Sequence, residues 1–406
     1  MPISASRLER DFVTIAGFTA TPGKGSSRPT FSSPWRDACD HIIAEAVTAG
    51  CQQRVDAAGN IHLRPSGLAA ATPVWLSGSH LDSVPQGGDF DGVLGVLGPL
   101  EVLRAAREDG RHDLPLELII FAEEEGTTFG LGMLGSRTWV GTLDAARLSA
   151  VRNAAGQSYL EAGAPHGVAV QRFDGDRFRA VDYLGLIELH IEQGPAMWNR
   201  GEPVAVVTAV NGRRQYRVEL RGTANHAGST RMPDRRDALA GAAELISSLE
   251  RLACSLGPAA VATVGQIHCV PNAINVIPEH VRLSIDFRAP SDDVLQRGHA
   301  QINALVARIA QQRKLESTCE LTESLPAVVM SAEVCERLHA AADRLRLGPL
   351  PETTSGALHD SAILAPLLPT AMLFVASRDG ISHNPAEFSK IDDIARATQI
   401  LYEVVR

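Results

Sequence analysis

The sequence predicts an α/β fold: a larger domain with a mixed sheet and helices on both faces, interrupted by a smaller α+β domain. Three observations predict it. Buried strands alternate with helices early in the chain, the hydrophobic pattern changes to period two near residue 210, and the first alternation returns from about residue 326. Because 406 residues exceed the usual size of one core, we expect a larger domain of residues 1–209 and 326–406 and a smaller one of residues 210–325.

The first part of the larger domain has the pattern of a parallel sheet covered by helices. An amphipathic helix is predicted over residues 35–49, and a buried strand follows at TPVWLSGSHLDSV, residues 72–84. A second helix is predicted over residues 93–109, and a second buried strand at LELIIFAEE, residues 116–124. Strands this uniformly hydrophobic are typical of parallel sheets.

The smaller domain has a different hydrophobic pattern. RQYRVELRGTA, residues 214–224, alternates in period two, and RRDALAGAAELISSLERLA, residues 235–253, is an amphipathic helix. Two further strands are predicted between residues 260 and 290, then a helix over roughly 291–313 and a strand at about 316–322. This β-α-β-β-α-β order is typical of a small, mostly antiparallel α+β domain.

Composition narrows the class of protein. The net charge of −9 argues against a nucleic-acid partner, which calls for basic patches. No apolar run reaches membrane-spanning length, and the start MPISASRLERDF lacks the apolar region of a signal peptide. The six cysteines are scattered without CxxC spacing, which indicates reduced thiols. We therefore expect a soluble cytoplasmic protein with neither a nucleic-acid nor a membrane partner.

Side chains that bind metals follow several predicted strands. They are His80, Asp91, the pair Glu124 and Glu125, His190, and His383. Ligands of α/β proteins collect at the carboxyl ends of strands, so these side chains should lie together. Mixed imidazole and carboxylate ligands suit zinc, manganese or cobalt better than calcium. The number of ligands is enough for two divalent metal ions bridged by one carboxylate.

The stretch IIFAEEEG, residues 119–126, places three adjacent carboxylates at the end of a buried strand. Like charges repel one another, and burial raises their cost unless cations or hydrogen bonds compensate. The alternative is a solvated loop after a strand. If metal ions are bound nearby, one carboxylate should be a ligand, and a neighbour should be left free as a general base.

Taken together, these segments resemble the M20-type metallohydrolases, in the hydantoinase/carbamoylase amidase branch. The resemblance runs nearly end to end. It is carried by TPGKG, VDAAGNIHLRP, GSHLDSVPQGGDFDGVLGV, EEEG, ELHIEQGP, NHAGST, RRDAL, NVIP, DFR, SGALHDS and GISHNPAEF. The resemblance implies that residues 1–209 and 326–406 form a catalytic domain and that residues 210–325 form a lid that also dimerises.

The resemblance also implies roles for the metal-type side chains. Asp91 would bridge two metal ions. His80 and His190 would complete one site, and Glu125 and His383 the other. Glu124 would be the general base, while Asp82 would orient His80. His190 occupies a position at which many peptidases of the larger clan carry a carboxylate, so the resemblance points away from ordinary peptidases.

For the substrate, the resemblance implies contacts made mainly by the lid. His226 would reach the site of the partner subunit in a homodimer and polarise the scissile carbonyl; the alternative is a buried or capping histidine. Arg288 would bind a carboxylate of the substrate, with a surface salt bridge as the alternative. The remaining contacts of a small-molecule substrate would come from Asn275, Gln193, Gln215 and His359.

Three departures from the pattern of the branch leave the substrate open: Thr128, Trp198 and Arg231. The leading hypothesis is hydrolysis of an N-carbamoyl-L-amino acid to amino acid, ammonia and carbon dioxide. Allantoate or ureidoglycolate hydrolysis and cleavage of another N-acyl amino acid conjugate are the alternatives. A binding protein that has lost catalysis and a peptidase are further rivals, disfavoured by intact Glu124 and by His190.

Overall fold

The computed structural model describes residues 3–406, which form fourteen strands and twelve α-helices. The strands are β1 (Cys51–Val55), β2 (Ile61–Pro65), β3 (Val74–His80), β4 (Leu116–Phe121), β5 (Tyr183–Ile191), β6 (Val204–Val210), β7 (Gly212–Arg221), β8 (Val261–Thr263), β9 (Ile267–Val270), β10 (His280–Ala289), β11 (Glu316–Leu325), β12 (Val328–Val329), β13 (Glu352–Ser355) and β14 (Thr370–Val375). The helices are α1 (Ala5–Gly17), α2 (Ser33–Thr48), α3 (Val93–Glu108), α4 (Leu134–Trp139), α5 (Ala145–Ala150), α6 (Tyr159–Gly163), α7 (Ala196–Arg200), α8 (Ala238–Leu256), α9 (Asp292–Arg313), α10 (Ala332–Arg344), α11 (Asp360–Leu364) and α12 (Ile391–Val405).

The chain divides into two units. The smaller unit consists of Ala209–Val329 and the short segment Thr354–Leu358, and the larger unit of the other residues. Within the smaller unit the short segment is held by hydrogen bonds: Asn211 N–H donates to the Ser355 carbonyl at 2.8 Å, and Arg288 Nη1 donates to the Gly356 carbonyl at 2.9 Å. No sequence pattern marks such a return, because it rests on a few long-range hydrogen bonds.

The larger unit is built on a mixed sheet with the strand order β1-β2-β4-β3-β5-β14-β6. Its central strands β4, β3, β5 and β14 are parallel, and the outer pairings are antiparallel. On β3, Leu76 packs with Trp139 of α4 and Leu364 of α11, whereas Ser79 lies against Gly95 of α3. Residues three apart on a strand point to opposite faces, so helices cover both faces and the predicted α/β class is confirmed.

The smaller unit is an antiparallel sheet with two helices on one face. The strand order is β11-β7-β10-β8, with β9 also pairing with β10. Alternate residues of β7 and β10, such as Tyr216, Val218 and Ile285, pack against α8 and α9 in a buried core. Three strands occupy residues 260–290, not the predicted two, because the segment around Gly265 divides the outer strand into β8 and β9.

None of the helices formed by residues 3–406 combines the length and the apolar character needed to cross a bilayer.

Candidate active site

The carboxyl ends of the parallel strands carry the predicted metal ligands. His80 is the last residue of β3, Glu124 and Glu125 follow β4, and His190 is the penultimate residue of β5. Asp91 lies two residues before the start of α3, and His383 lies beyond β14. Because these strands run in parallel, their carboxyl ends lie along one edge of the sheet. The topology therefore explains how residues so far apart in the sequence come together.

Asp91 lies at the centre of the cluster. Its Oδ1 is 3.2 Å from Nε2 of His190 and 3.7 Å from Nε2 of His80. Its Oδ2 is 3.3 Å from Nε2 of His383, which in turn is 3.5 Å from Oε2 of Glu125. Two groups of side chains result, and each offers ligand atoms that lie within 4.8 Å of one another: His80, Asp91 and His190, and Asp91, Glu125 and His383. Asp91 belongs to both groups.

The spacing of these atoms fits divalent cations. Atoms that bind zinc at about 2.0–2.2 Å lie roughly 3–4 Å from one another, and the four distances given above, 3.2–3.7 Å, fall in this range. His190 Nε2 is buried and has no hydrogen-bond partner among residues 3–406, although Asp91 Oδ1 lies nearby. His190 Nδ1 lies 3.0 Å from the Ile191 carbonyl, an arrangement that puts the proton on Nδ1 and leaves Nε2 free as a ligand.

The pKa values reflect acids and bases held together in the protein interior. Burial alone would raise the pKa of Asp91, but contacts with three imidazoles outweigh burial and hold it well below its usual range. Burial lowers the pKa of His80, but the nearby carboxylates, Glu124 foremost, raise it well above its usual range. Contact with Asp91 raises the pKa of His383 to about 9. These shifts favour the ionised form of Asp91 and the protonated forms of His80 and His383.

The three consecutive glutamates point to different partners. Glu123 adopts a φ of 57°, and its Oε1 accepts the backbone N–H groups of Thr128 and Phe129, both at 2.9 Å. Burial raises the pKa of Glu123 and of Glu125 to about 7, and that of Glu124 well above its usual range. Glu123 thus closes its own loop, Glu125 lies beside His383, and Glu124 has its Oε2 3.7 Å from Nε2 of His80.

Asp82 contacts His80 through its main chain rather than its carboxylate. His80 Nδ1 lies 2.9 Å from the Asp82 carbonyl oxygen and 3.8 Å from Oδ1 of the same residue. The carboxylate instead accepts the backbone N–H groups of Glu124, at 3.3 Å, and Glu125, at 3.1 Å. One residue therefore fixes both the imidazole and the segment that carries two acidic groups.

Two of the predicted substrate residues lie beside the metal-type cluster. Gln193, at a φ of 56°, donates from Nε2 to Asp91 Oδ2 at 2.8 Å, so its side chain contacts the central carboxylate. His359 is buried, and its ring centroid lies 4.5 Å from that of His190. Burial, together with the charge of His190, lowers the pKa of His359 well below its usual range. A neutral imidazole therefore lies beside His190.

Two residues near His383 were missed by the sequence reasoning, although both lie in the motif GISHNPAEF. Glu387 accepts the backbone N–H groups of Phe90, at 2.9 Å, and Asp91, at 3.0 Å. Ser382 donates to Glu387 Oε2 or to Asp91 Oδ2, at 2.9 and 3.1 Å. A buried acid two residues beyond a proline is an unspecific signal, and only the fold shows that it fastens the Asp91 segment to the His383 loop.

The remaining predicted residues belong to the smaller unit. The loops of His226 and Asn275 are joined, since Ala227 N–H donates to the Asn275 carbonyl at 3.1 Å. His226 is exposed, and its Nδ1 accepts the backbone N–H groups of Gly228, at 3.0 Å, and Ser229, at 3.2 Å. Gln215 and Arg288 lie on β7 and β10. Of the alternatives for His226, the buried histidine does not describe this exposed side chain, whereas the capping histidine describes the two backbone hydrogen bonds that its Nδ1 accepts.

The three departures from the pattern of the branch have separate surroundings. Thr128 Oγ1 accepts the backbone N–H of Thr30 at 3.0 Å. The Trp198 ring lies 4.9 Å from Nζ of Lys390, in a cavity that contains none of the predicted metal ligands. Arg231 is exposed in the smaller unit. Thr128 thus anchors the glutamate loop, and Trp198 lines a different cavity.

Comparison with known proteins identifies the family of this chain. The family described as peptidase family M20/M25/M40 matches residues 76–406. The chain belongs to this family. The predicted recognition of the family and the prediction of a metal-dependent hydrolase are thereby confirmed.

Relatives in this family cover almost the whole chain. The N-carbamoyl-L-amino acid amidohydrolase of Geobacillus stearothermophilus is 38% identical over 99% of this chain and 98% of its own length. The allantoate amidohydrolase of Bacillus subtilis is 33% identical over 96% and 95%. An amidase of the hydantoinase/carbamoylase family from Burkholderia multivorans superposes with a TM-score of 0.90 at 34% identity, over 99% of this chain and 97% of that one. The similarity therefore extends to the hydantoinase/carbamoylase branch.

Proposed function

We propose that this enzyme hydrolyses a non-peptide C–N bond in a small carboxylate-bearing ureido or N-acyl compound. The preferred substrate in this proposal is an N-carbamoyl-L-amino acid. The products would be the amino acid, ammonia and carbon dioxide. The observation that carries the proposal is the arrangement around Asp91, which two histidine-containing ligand groups share while Glu124 lies beside them. The 38% identity to a relative named for this substrate class supports the choice of substrate.

We propose two divalent metal ions, zinc, manganese or cobalt, as the cofactors. His80, Asp91 and His190 would hold one ion, and Asp91, Glu125 and His383 the other. When bound, such ions act as Lewis acids toward a carbonyl oxygen and a water molecule. The free Nε2 of His190 supports this assignment, as does the glycine that follows Asp91: a Cβ on Gly92 would occupy the space beside the His80 ring.

Glu124 is proposed as the general base. It would take a proton from the attacking water as the C–O bond forms and pass that proton to the nitrogen as the C–N bond breaks. Its position supports this role, because it lies next to His80 without belonging to either ligand group. Asp82 would hold Glu124 in place through the backbone hydrogen bond described above.

His226 is proposed to act in the site of the partner subunit of a homodimer. Because its Nδ1 accepts two backbone N–H groups, the neutral ring carries its proton on Nε2. The exposed Nε2–H would donate to the oxygen of the scissile carbonyl as negative charge develops there. The fixed tautomer of His226 and the exposure of its ring support a role toward a group outside its own subunit.

Arg288 and Asn275 are proposed to hold the carboxylate of the substrate, with Gln215 as a further contact. A guanidinium can grip a carboxylate with two parallel hydrogen bonds, a geometry that lysine cannot reproduce. His359 and Gln193 would complete the substrate side beside the metal ligands, where the fold places them near His190 and Asp91.

Allantoate hydrolysis is the second candidate, supported by the relative of that name at 33% identity. The test is ammonia release from a panel of N-carbamoyl-L-amino acids, allantoate, ureidoglycolate and N-acyl amino acids, with manganese, cobalt or zinc added. We expect N-carbamoyl-L-amino acids to give the highest kcat/KM. Turnover of dipeptides with none of the panel hydrolysed would contradict the proposal.

A further inference from the structure

The sheet of the smaller unit has one face that its helices leave open. Tyr216 on β7 and Ile285 on β10 are buried against α8 and α9. Because strand residues alternate between faces, Gln215, Asp286 and Arg288 project from the opposite face. A cavity of about 610 Å³ lies on that face, and both Gln215 and Asp286 line it. The two predicted substrate residues and Asp286 therefore share one surface.

Asp286 is hydrogen-bonded to both of the predicted substrate residues. Its Oδ1 accepts from Arg288 Nε at 2.8 Å, and its Oδ2 accepts from Gln215 Nε2 at 3.0 Å. Arg288 is fixed a second time, because its Nη1 donates to the Gly356 carbonyl at 2.9 Å. The side chains of Asp286 and Arg288 are about one-third exposed or less, so these bonds are partly shielded from water.

These bonds restrict how Arg288 can meet a carboxylate. A guanidinium binds a carboxylate side-on through Nε and one Nη, or end-on through both Nη groups. The Asp286 bond occupies Nε and so closes the side-on geometry. Because Nη1 already donates one of its two hydrogens to Gly356, Arg288 is left with Nη2 and the second hydrogen of Nη1 for end-on binding.

The same carboxylate orients Gln215. An ionised carboxylate can only accept hydrogen bonds, so the Gln215 amide must turn its NH₂ group toward Asp286 and its oxygen away. Burial would raise the pKa of Asp286, but the hydrogen bonds from Arg288 and Gln215 outweigh burial and lower it. Asp286 therefore stays ionised in neutral solution, and the outward oxygen of Gln215 is available to an N–H donor.

We propose that Asp286 is a positioning residue that holds Arg288 ready for the carboxylate of the substrate and sets the orientation of Gln215. This inference rests on the proposed function, because it takes Arg288 as the carboxylate-binding group. A long side chain that is already fixed loses less conformational freedom when the substrate binds. The effect of Asp286 should therefore fall on binding rather than on the chemical step.

The test is a double-mutant cycle with Asp286→Ala and Arg288→Gln, assayed with an N-carbamoyl-L-amino acid. Asp286→Ala should raise KM about tenfold, as expected for the loss of one charged hydrogen bond, while kcat changes by less than about threefold. In the Arg288→Gln background the same substitution should change KM by less than about threefold, because only the orientation of Gln215 then remains to be lost. Asp286→Asn, which keeps one acceptor oxygen, should raise KM less than Asp286→Ala does.

Glu219→Ala is the matched control. Glu219 is a carboxylate on the same open face of β7, and it accepts from Arg282 Nε at 3.1 Å. It should leave KM and kcat at wild-type values. KM effects of Asp286→Ala that simply add to those of Arg288→Gln, or that Glu219→Ala reproduces, would overturn the inference while the proposed function stands. A wild-type enzyme that hydrolyses no carboxylate-bearing compound would overturn the proposed function and this inference together.

Discussion

Gly92 lies directly beneath the imidazole of His80: a Cβ built on Gly92 would be 2.5 Å from Cε1 of that ring. Gly92 also adopts a φ of +68°, in the left-handed region that glycine occupies without strain. The residue between Asp91 and α3 must therefore be small for the chain to pass a predicted metal ligand.

We predict that Gly92→Ala displaces His80 and weakens metal binding at least about tenfold, in the range seen when the support of a ligand is lost. Titration of the purified protein with manganese or cobalt measures this. Gly110→Ala is the control, since Gly110 has a φ of +74° but no heavy atom within 4 Å of an added Cβ. It should cost about 1–2 kcal/mol of backbone strain and leave metal binding unchanged. Wild-type metal affinity in Gly92→Ala would contradict the prediction.

Glu124→Gln keeps the shape of the side chain and removes its ability to take a proton. We expect turnover to fall at least about 100-fold, the lower range for general acid–base groups, with metal content unchanged. Steady-state kinetics and metal analysis of the same preparation measure both quantities. Loss of metal with Glu124→Gln, together with retained metal in Glu125→Gln, would show that the roles of the two glutamates are reversed.

A buried histidine outside the site should make stability depend on pH. His62 Nδ1 lies 2.7 Å from Glu117 Oε1, and its Nε2 lies 3.2 Å from Asp56 Oδ2. Burial lowers the pKa of His62, but the two carboxylates outweigh burial and raise it above its ordinary 6.5. The pKa of Glu117 is lowered below its ordinary 4.5, mainly by His62 acting against burial.

The two shifts define where this contact stabilises the fold. The part due to His62 is fully present below pH 6.5 and is lost as the pH rises through its folded pKa; the part due to Glu117 is lost on acidification below 4.5. His62→Gln should therefore lower the melting temperature more at about pH 6 than at about pH 9. His339→Gln, at a solvent-exposed contact with Glu352, is the control. If His62→Gln lowered the melting temperature more at about pH 9 than at about pH 6, the prediction would be contradicted.

The proposed homodimer predicts complementation between two inactive variants. His226→Ala and Glu124→Gln should each be nearly inactive, and a mixture in which subunits exchange should form heterodimers with one intact composite site. For random pairing, activity should return to about a quarter of the wild-type value, because half of the dimers are mixed and each has one working site. Verified heterodimers without recovery, or a fully active wild-type monomer, would refute the trans role of His226.

Much of the fold could be predicted from the sequence because its signals are local. Uniformly hydrophobic segments that include residues 74–80 and 116–121 indicated a parallel sheet, and period-two alternation after residue 210 indicated the antiparallel one. The return of residues 354–358 to the smaller unit had no such signal, since it rests on hydrogen bonds to Asn211 and Arg288.

The site was predicted less completely, for a physical reason. The metal-type residues follow strands and are chemically distinctive, so they could be named one by one. Glu387, which fastens Asp91, is an ordinary carboxylate whose partner lies on another segment, and so is Asp286, which bonds Gln215 of the neighbouring strand. Sequence also cannot tell which atoms of Asp82 act: its carbonyl, not its carboxylate, meets His80.

Two divalent ions held by His80, Asp91, Glu125, His190 and His383 are proposed to be needed for hydrolysis. The most direct measurement is ammonia release from an N-carbamoyl-L-amino acid before chelation, after chelation and after return of manganese, cobalt or zinc, with the metal content of each sample determined. We predict that activity disappears on chelation and returns as the protein regains about two ions per chain. A chelated, metal-free protein with full activity would contradict the account.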